Sequence, residues 1–459
     1  MAGWLRRLVG AADPAAASFQ AVLPGAAQPG GATAAVDPLV APAAAFTLRD
    51  PLIAAHGGIA GGVFRFSSAL EQRLRLRADP VAQAAHALAL LASMRPTIAA
   101  GRVAMTSLAC EILARPAVLE AASGACVVLD PAPGSSDASA AEFASLRGHK
   151  VRIGTIAPAP TSAALAATQT AALAASAQAV ANTSDFLVLR NGPGGFDALA
   201  AEVSRWRATR PDLPIVVTGV EGLDELERTL SLNVWLASAQ LQAASGTATR
   251  RPLRPAVTHI CQLLAQLRDN RHVGEVSRQL GADVALSYRL LRYINSPAFG
   301  LSRSVASIEE AVLLIGHAGL YRWLSIALLD SADGRKASRA LQEVSLARAR
   351  FLELLASERA GDPPQALFTV GLLSLLEPLL QAPLAEVLAP LHLEENARQA
   401  LLEGRGPWLD YLALAQDLEA NHQDRVVAGA DHFGGLESVL RKSAIAWAWA
   451  TSVTQALHA

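Results

Sequence analysis

The stretch "LLRYINSPAFGLSRSVASIEEAVLLIGHAGLYRWLSIALL", residues 290–329, decides how the second half of the chain is read. It reads as three helices around one loop. Ile308, Ala311, Val312 and Ile315 recur at three- and four-residue spacing, which places them on one helix face. Ser307 and Glu310 stand as a capping box at that helix's start. Gly316 sits where a helix stop is expected. Leu320, Trp323, Leu324, Ala327 and Leu328 then resume the apolar pattern. In the loop, Asn295 and Ser296 can bond nearby backbone groups, and Pro297 prevents a helix from continuing undisturbed. Phe299 can pin the loop to a core, and Gly300 permits a turn closed to other residues. The reading is a capped joint between packed helices, with a contact surface for a protein partner as the alternative. Asn295, Ser296, Pro297, Phe299, Gly300 and Gly316 are the structural or partner-contact candidates.

Outward from this stretch the helical pattern continues. In "THICQLLAQL" (258–267), Ile260, Leu263, Leu264 and Leu267 mark another helix face. Strand signals are missing beyond "SGTATRRPLRP" (245–255), so the second half is all-helical. Upstream the pattern changes. Short apolar runs at 61–66, 102–108, 125–130, 150–154, 185–189, 214–218 and 232–236 alternate with helical stretches such as 80–95, 138–148 and 196–209. Repeated strand–helix alternation implies a parallel sheet, and seven such units imply a closed TIM-type β/α barrel rather than an open doubly wound sheet. The expected organisation is a flexible Ala/Gly/Pro-rich leader (1–43), a barrel (44–245), a helical domain with its C-terminal extension (252–443) and a tail (444–459). Within the leader, Trp4, Leu5, Leu8 and Val9 can form one face of a short amphipathic helix.

Composition narrows the function classes. A net charge of −1 gives no general reason to expect a nucleic-acid or acidic-membrane partner. Three scattered cysteines, Cys110, Cys126 and Cys261, form no CxxC pair and fit a reducing cytoplasm. No integral membrane segment is read from the sequence; the run at 164–181 carries too many Thr, Gln and Ser residues. The expected location is cytoplasmic.

Two resemblances add to this. The motifs "LLRYINSPAFG", "SVASIEEAVLLIGHAGLYRWL", "ARARFLELLA" (347–356) and "LFTVGLLSLLEPLL" (367–380) resemble the HDOD domain, a relative of the HD phosphohydrolases of bacterial signalling proteins. HD chemistry needs a His-Asp pair to hold metal. None of the ten histidines here precedes an Asp, and Asp431-His432 is reversed. The resemblance thus implies a catalytically silent domain.

A barrel ahead of an HDOD domain looks like the EAL domain, a cyclic di-GMP phosphodiesterase fold that carries metal-binding carboxylates at its strand ends. In this chain the matching positions hold Phe64, Arg65 and Phe66, then Met105-Thr106-Ser107, Gly154-Thr155, Val188, Arg190 and Thr218. Asp130 and Glu221 remain. The resemblance implies a degenerate EAL-like barrel with no catalytic, cofactor-binding or metal site. The expected function is a non-enzymatic signalling or scaffold protein with regulatory protein partners and no cofactor. Cyclic di-GMP binding is not expected. The alternatives are a diverged phosphodiesterase or phosphohydrolase, or a non-hydrolysing nucleotide receptor using Arg65 or Arg190, since guanidinium groups hold phosphates.

Overall fold

In the computed structural model, residues 47–66, 79–130, 146, 150–157, 184–192, 194–241, 253–269, 273–295, 304–331, 335–391 and 393–458 are described. The leader, the 138–148 stretch save Leu146, and Ser296, Pro297, Phe299 and Gly300 lie outside them. The chain divides into two compact units. One holds Val36–Ala244 with Asp417–Arg441, the other Ser245–Gln416 with Lys442–Ala459. The sequence reading runs the helical domain on to 443, because helical periodicity does not say what a helix packs against.

The first unit contains a closed barrel in the order β1 to β8. Its strands are β1 (Thr47–Ala54), β2 (Ile59–Phe66), β3 (Val103–Ala109), β4 (Cys126–Asp130), β5 (Arg152–Ile156), β6 (Phe186–Arg190), β7 (Ile215–Glu221) and β8 (Leu236–Gln240). Seams from β2 to β8 are parallel, whereas β1 runs antiparallel to both β2 and β8. Strand alternation sorts the side chains. Leu52, Val63, Met105, Cys126, Val128, Phe186, Val188, Val216 and Leu236 gather in one apolar cluster. Phe64, Phe66, Leu108, Val127, Leu129 and Ile153 gather in another, with Leu90, Leu91 and Met94 of helix α1 (Pro80–Ala99). The first cluster fills the barrel and the second lies beneath the helix. α1 starts where it does because Asp79 accepts a hydrogen bond from the Val81 amide at 2.9 Å and Pro80 opens the helix.

The sequence reading misses β1. "TLRDPLIA" carries Arg49, Asp50 and Pro51 inside the strand, and these hide its alternation. Pro51 is tolerated because β8 pairs only with Leu52, Ile53 and Ala54. The last strand is also displaced, from the expected 232–236 to Leu236–Gln240. "LASAQ" has small and polar residues, so apolar content alone points to the "LNVWL" before it.

The second unit is helical. Its principal helices are α4 (Pro255–Arg268), α5 (Val273–Ala282), α6 (Val284–Ile294), α7 (Ile308–Asp330), α8 (Ser338–Ala356) and α9 (Pro364–Leu373), α2 (Gly195–Thr209) and α3 (Leu223–Leu230) belonging to the barrel unit. α7 is two helices joined at Gly316, whose φ of 67° and ψ of −177° break the regular path. Glycine alone takes such a conformation without strain, so the expected stop is a kink followed at once by a second helix. Ser307 caps the first segment by accepting from the Glu310 amide at 3.1 Å. α8 is buried on almost every face. Gly371 of α9 lets the two backbones close up, since a Cβ there would stand 2.6 Å from Ala349 Cα.

Residues 444–458, read as a tail, are the end of helix α10 (Gly435–His458), with Trp449 buried. The helical reading of "SVLRKSAIAWAWATSVTQALH" was correct; its small alanines masked how much of it is packed.

α7 is long and apolar enough to cross a membrane by length and composition. Its buried residues and the pairing of its Arg322 with Glu353 of α8 make it a core helix of this unit.

Candidate functional site

The C-terminal ends of barrel strands are where TIM-type barrels place their chemistry. Alternation makes Arg65, Ser107, Asp130, Ile156, Arg190 and Thr218 the inward positions there, two residues beyond the interior Val63, Met105, Val128, Gly154, Val188 and Val216. Phe64, expected at the site, faces the helix layer instead. Thr106 turns away from the interior and donates to Phe64 O at 2.9 Å. Thr155 bonds the Ser184 hydroxyl at 2.9 Å. Gly154 lies against the Phe186 ring, where an added Cβ would come within 2.2 Å. Asp130 ends β4 opposite Ala109. Glu221 ends β7 as an exposed residue, and its amide donates to Glu225 Oε2 at 2.8 Å.

Arg65 is paired with Asp50 of the reversed strand at 2.5 Å. Burial pushes the Asp50 carboxyl up while Arg65 opposes the shift. Arg190 is exposed at the end of β6. The ring order sets β2 and β6 four strands apart, on opposite sides of the barrel. Arg65 and Arg190, each offered as a phosphate-holding residue, therefore belong to opposite sides of the ring. Of these inward positions Asp130 alone carries a carboxylate, the ligand that hard cations favour. Among the described residues no three His, Cys, Asp or Glu side chains gather as a metal ion requires. Cys126, inside the barrel, is pushed up to about 11 by burial, which keeps it a thiol at neutral pH.

In the helical unit, Asn295 closes the joint. It follows α6 directly, and its side chain clasps Val305 twice: Nδ2 donates to Val305 O at 2.8 Å, and Oδ1 accepts from Val305 N at 2.7 Å. The amide is the one side chain that offers a donor and an acceptor side by side to a peptide unit. His317, just past the kink, donates from Nε2 to Leu267 O at 2.7 Å and ties α7 to the end of α4.

A buried ionic group escapes the sequence reading. Arg322 of α7 grips Glu353 of α8 through two bonds of 2.8 and 3.2 Å. Arg350 reaches the same carboxylate at 2.7 Å. Phe368 of α9 stacks 3.6 Å from the Arg322 guanidinium, and Trp449 of α10 lies 5.4 Å away. Burial alone would raise the Glu353 carboxyl, but Arg322 and Arg350 outweigh it and hold it below its usual range. The available signal was "ARARFLELLA", which has apolar residues on every face and Arg350 and Glu353 three apart within them.

The comparisons bear on both units. Residues 252–401 match the model of the HDOD domain, so the helical half carries an HDOD domain. A relative from Bacillus subtilis (strain 168), the uncharacterized protein YuxH, is 30% identical over 166 residues, 36% of this chain and 41% of that one. The cyclic di-GMP phosphodiesterase CdgJ of Vibrio cholerae serotype O1 is 32% identical over 146 residues, 31% of this chain and 33% of that one. The matches thus span well under half of these curated relatives. Among solved structures, an EAL domain protein from Listeria monocytogenes EGD-e shares 10% identity at a TM-score of 0.31, covering 42% of this chain and 85% of its own. An HDOD domain protein from Geobacter sulfurreducens shares 20% identity at a TM-score of 0.27, covering 38% of this chain and 74% of its own. Structural likenesses at such scores carry no weight.

Proposed function

We propose that this chain is a cytoplasmic signalling protein that works by binding regulatory proteins, with a degenerate EAL-like barrel and a catalytically silent HDOD domain. One observation carries the reading. The inward strand-end positions hold Arg65, Ser107, Ile156, Arg190 and Thr218, with Asp130 the one carboxylate among them, where metal-assisted phosphodiester hydrolysis needs several carboxylates to hold its cations and generate hydroxide. Two histidines read from the second half of the sequence support it, since His317 of the helical unit and His422 of the barrel unit are engaged with separate partners, Leu267 O and Asp417.

The test is turnover of cyclic di-GMP by the purified chain with magnesium or manganese, beside calorimetry with the same nucleotide. No hydrolysis and no heat of binding are expected. Metal-dependent turnover that disappears on changing Asp130 or Glu221 would establish a diverged phosphodiesterase instead. Binding without turnover would establish a nucleotide receptor.

A further inference from the structure

The C-terminal residues 442–458 are seated on the helical unit by unlike contacts. Lys442, 5% exposed, pairs with Glu358 Oε2 at 2.5 Å. Thr451 donates to Glu343 Oε1 at 3.0 Å, and Glu343 is itself 1% exposed. Trp449 meets Phe368 edge to face at 6.0 Å and covers the Arg322 guanidinium from a second side. These contacts give the seat a definite chemistry: two carboxylates, Glu343 and Glu358, flank an aromatic ring and a caged arginine.

The seated segment is lightly anchored in apolar terms. Among its described side chains the buried apolar ones are Ala446, Trp449 and Ala450, Trp447 and Val453 are half-buried, and Ile445 is exposed. Alanines remove little surface from water, so among the described side chains Trp449 is the one large apolar residue fully buried, and the ion pair beside it has an acidic member more than half exposed. α8, by contrast, is buried almost throughout. Segments with few buried apolar contacts open locally at a fraction of the global cost.

We propose that residues 442–458 are a displaceable strap, and that its seat on α7, α8 and α9 accepts a basic, tryptophan-bearing amphipathic helix of a partner protein in its place. The proposal rests on the partner-binding reading above. The occupant is defined by the strap's own solution: a lysine over Glu358, an indole on Phe368 and a hydroxyl at Glu343, spaced along one helix face.

Hydrogen–deuterium exchange on the full chain, beside a labelled synthetic peptide of residues 440–458, tests it. Amides of 446–455 are expected to exchange at least about tenfold faster than those of 344–352. Trp449→Ala should raise exchange of the strap by about tenfold again, leaving 344–352 within about threefold. The peptide should bind the Trp449→Ala chain, and the same peptide carrying Trp449→Ala should not. If Trp449→Ala fails to fold, Thr451→Val and Lys442→Met carry the same comparison. One common exchange rate for strap and α8 in the unaltered chain, or no peptide binding to a folded variant, overturns the proposal. Turnover of cyclic di-GMP would sink the signalling reading yet leave the exchange pattern standing, so the two failures are distinguishable.

Discussion

The two units handle charge in opposite ways. The barrel is filled by Leu52, Met105, Cys126, Val128, Phe186, Val188, Val216 and Leu236, and its ion pair, Arg65 with Asp50, stands partly exposed at the strand ends. The helical unit instead threads α8 through its centre with Glu343, Arg348, Arg350 and Glu353 all buried. A barrel interior is specified by volume, since inward side chains need only fill it. A helical core that keeps charges is specified by pairing, because each buried charge demands its partner. The difference predicts which unit tolerates resizing and which tolerates loss of charge.

The largest expected effect is Glu353→Ala. It leaves Arg322 and Arg350 buried without their shared carboxylate and should cost about 3–5 kcal/mol, read as early loss of the helical unit's transition in urea. The same group sets an acid slope. Its folded pKa lies below its unfolded one, so on acidification the unfolded chain takes up the proton first. Its contribution is whole above the unfolded value of about 4.3 and is lost as pH falls through the lowered folded value. Glu353→Gln should flatten that slope in melts recorded across the acid range; an unchanged slope would break the contrast between the units.

Next comes the barrel's sensitivity to volume. Gly154→Ala drives a methyl into the Phe186 ring and should cost about 1–3 kcal/mol. Pairing it with Phe186→Leu should recover part of that loss in the same denaturation experiment. An equal penalty with and without the smaller partner would show that packing against Phe186 is not the constraint. Asn295→Ala removes both bonds to Val305 and should cost about 1–3 kcal/mol, measured by thermal unfolding. Normal stability with lost partner binding would instead make the joint a contact surface. The smallest effect belongs to Arg65→Gln. Its pair with Asp50 is about a third exposed, and the change should stay within about 1 kcal/mol.

Much of this was legible in the sequence for a physical reason. Ile308, Ala311, Val312 and Ile315, the Ser307 cap and Gly316 each act locally, so spacing alone reveals them. The strands with large apolar residues, such as "DFLVL" and "PIVVT", announce themselves likewise. What was hidden depends on distant partners. β1 is a strand because β2 and β8 flank it, not because "TLRDPLIA" alternates. Which of Phe64 and Arg65 faces inward follows from the register of the closed ring. Trp449 belongs to the core because Phe368 and Arg322 wait for it, 81 and 127 positions earlier in the numbering.

The reversed first strand also bears on how the molecule is made. Leu52 and Ile53 close the ring only against Ser238 and Ala237, so one seam joins the start of the barrel to its end. At ribosomal speeds the intervening stretch takes roughly 10–40 s to emerge. Throughout that interval β1 can pair with β2 but not with β8, and its other edge stays open to any strand nearby. Pro51, directly before that edge, offers no amide hydrogen. The proline that hides the strand from a sequence reader thus also leaves β1 a poorer template for a stray strand, since it shortens the run of amide donors along it.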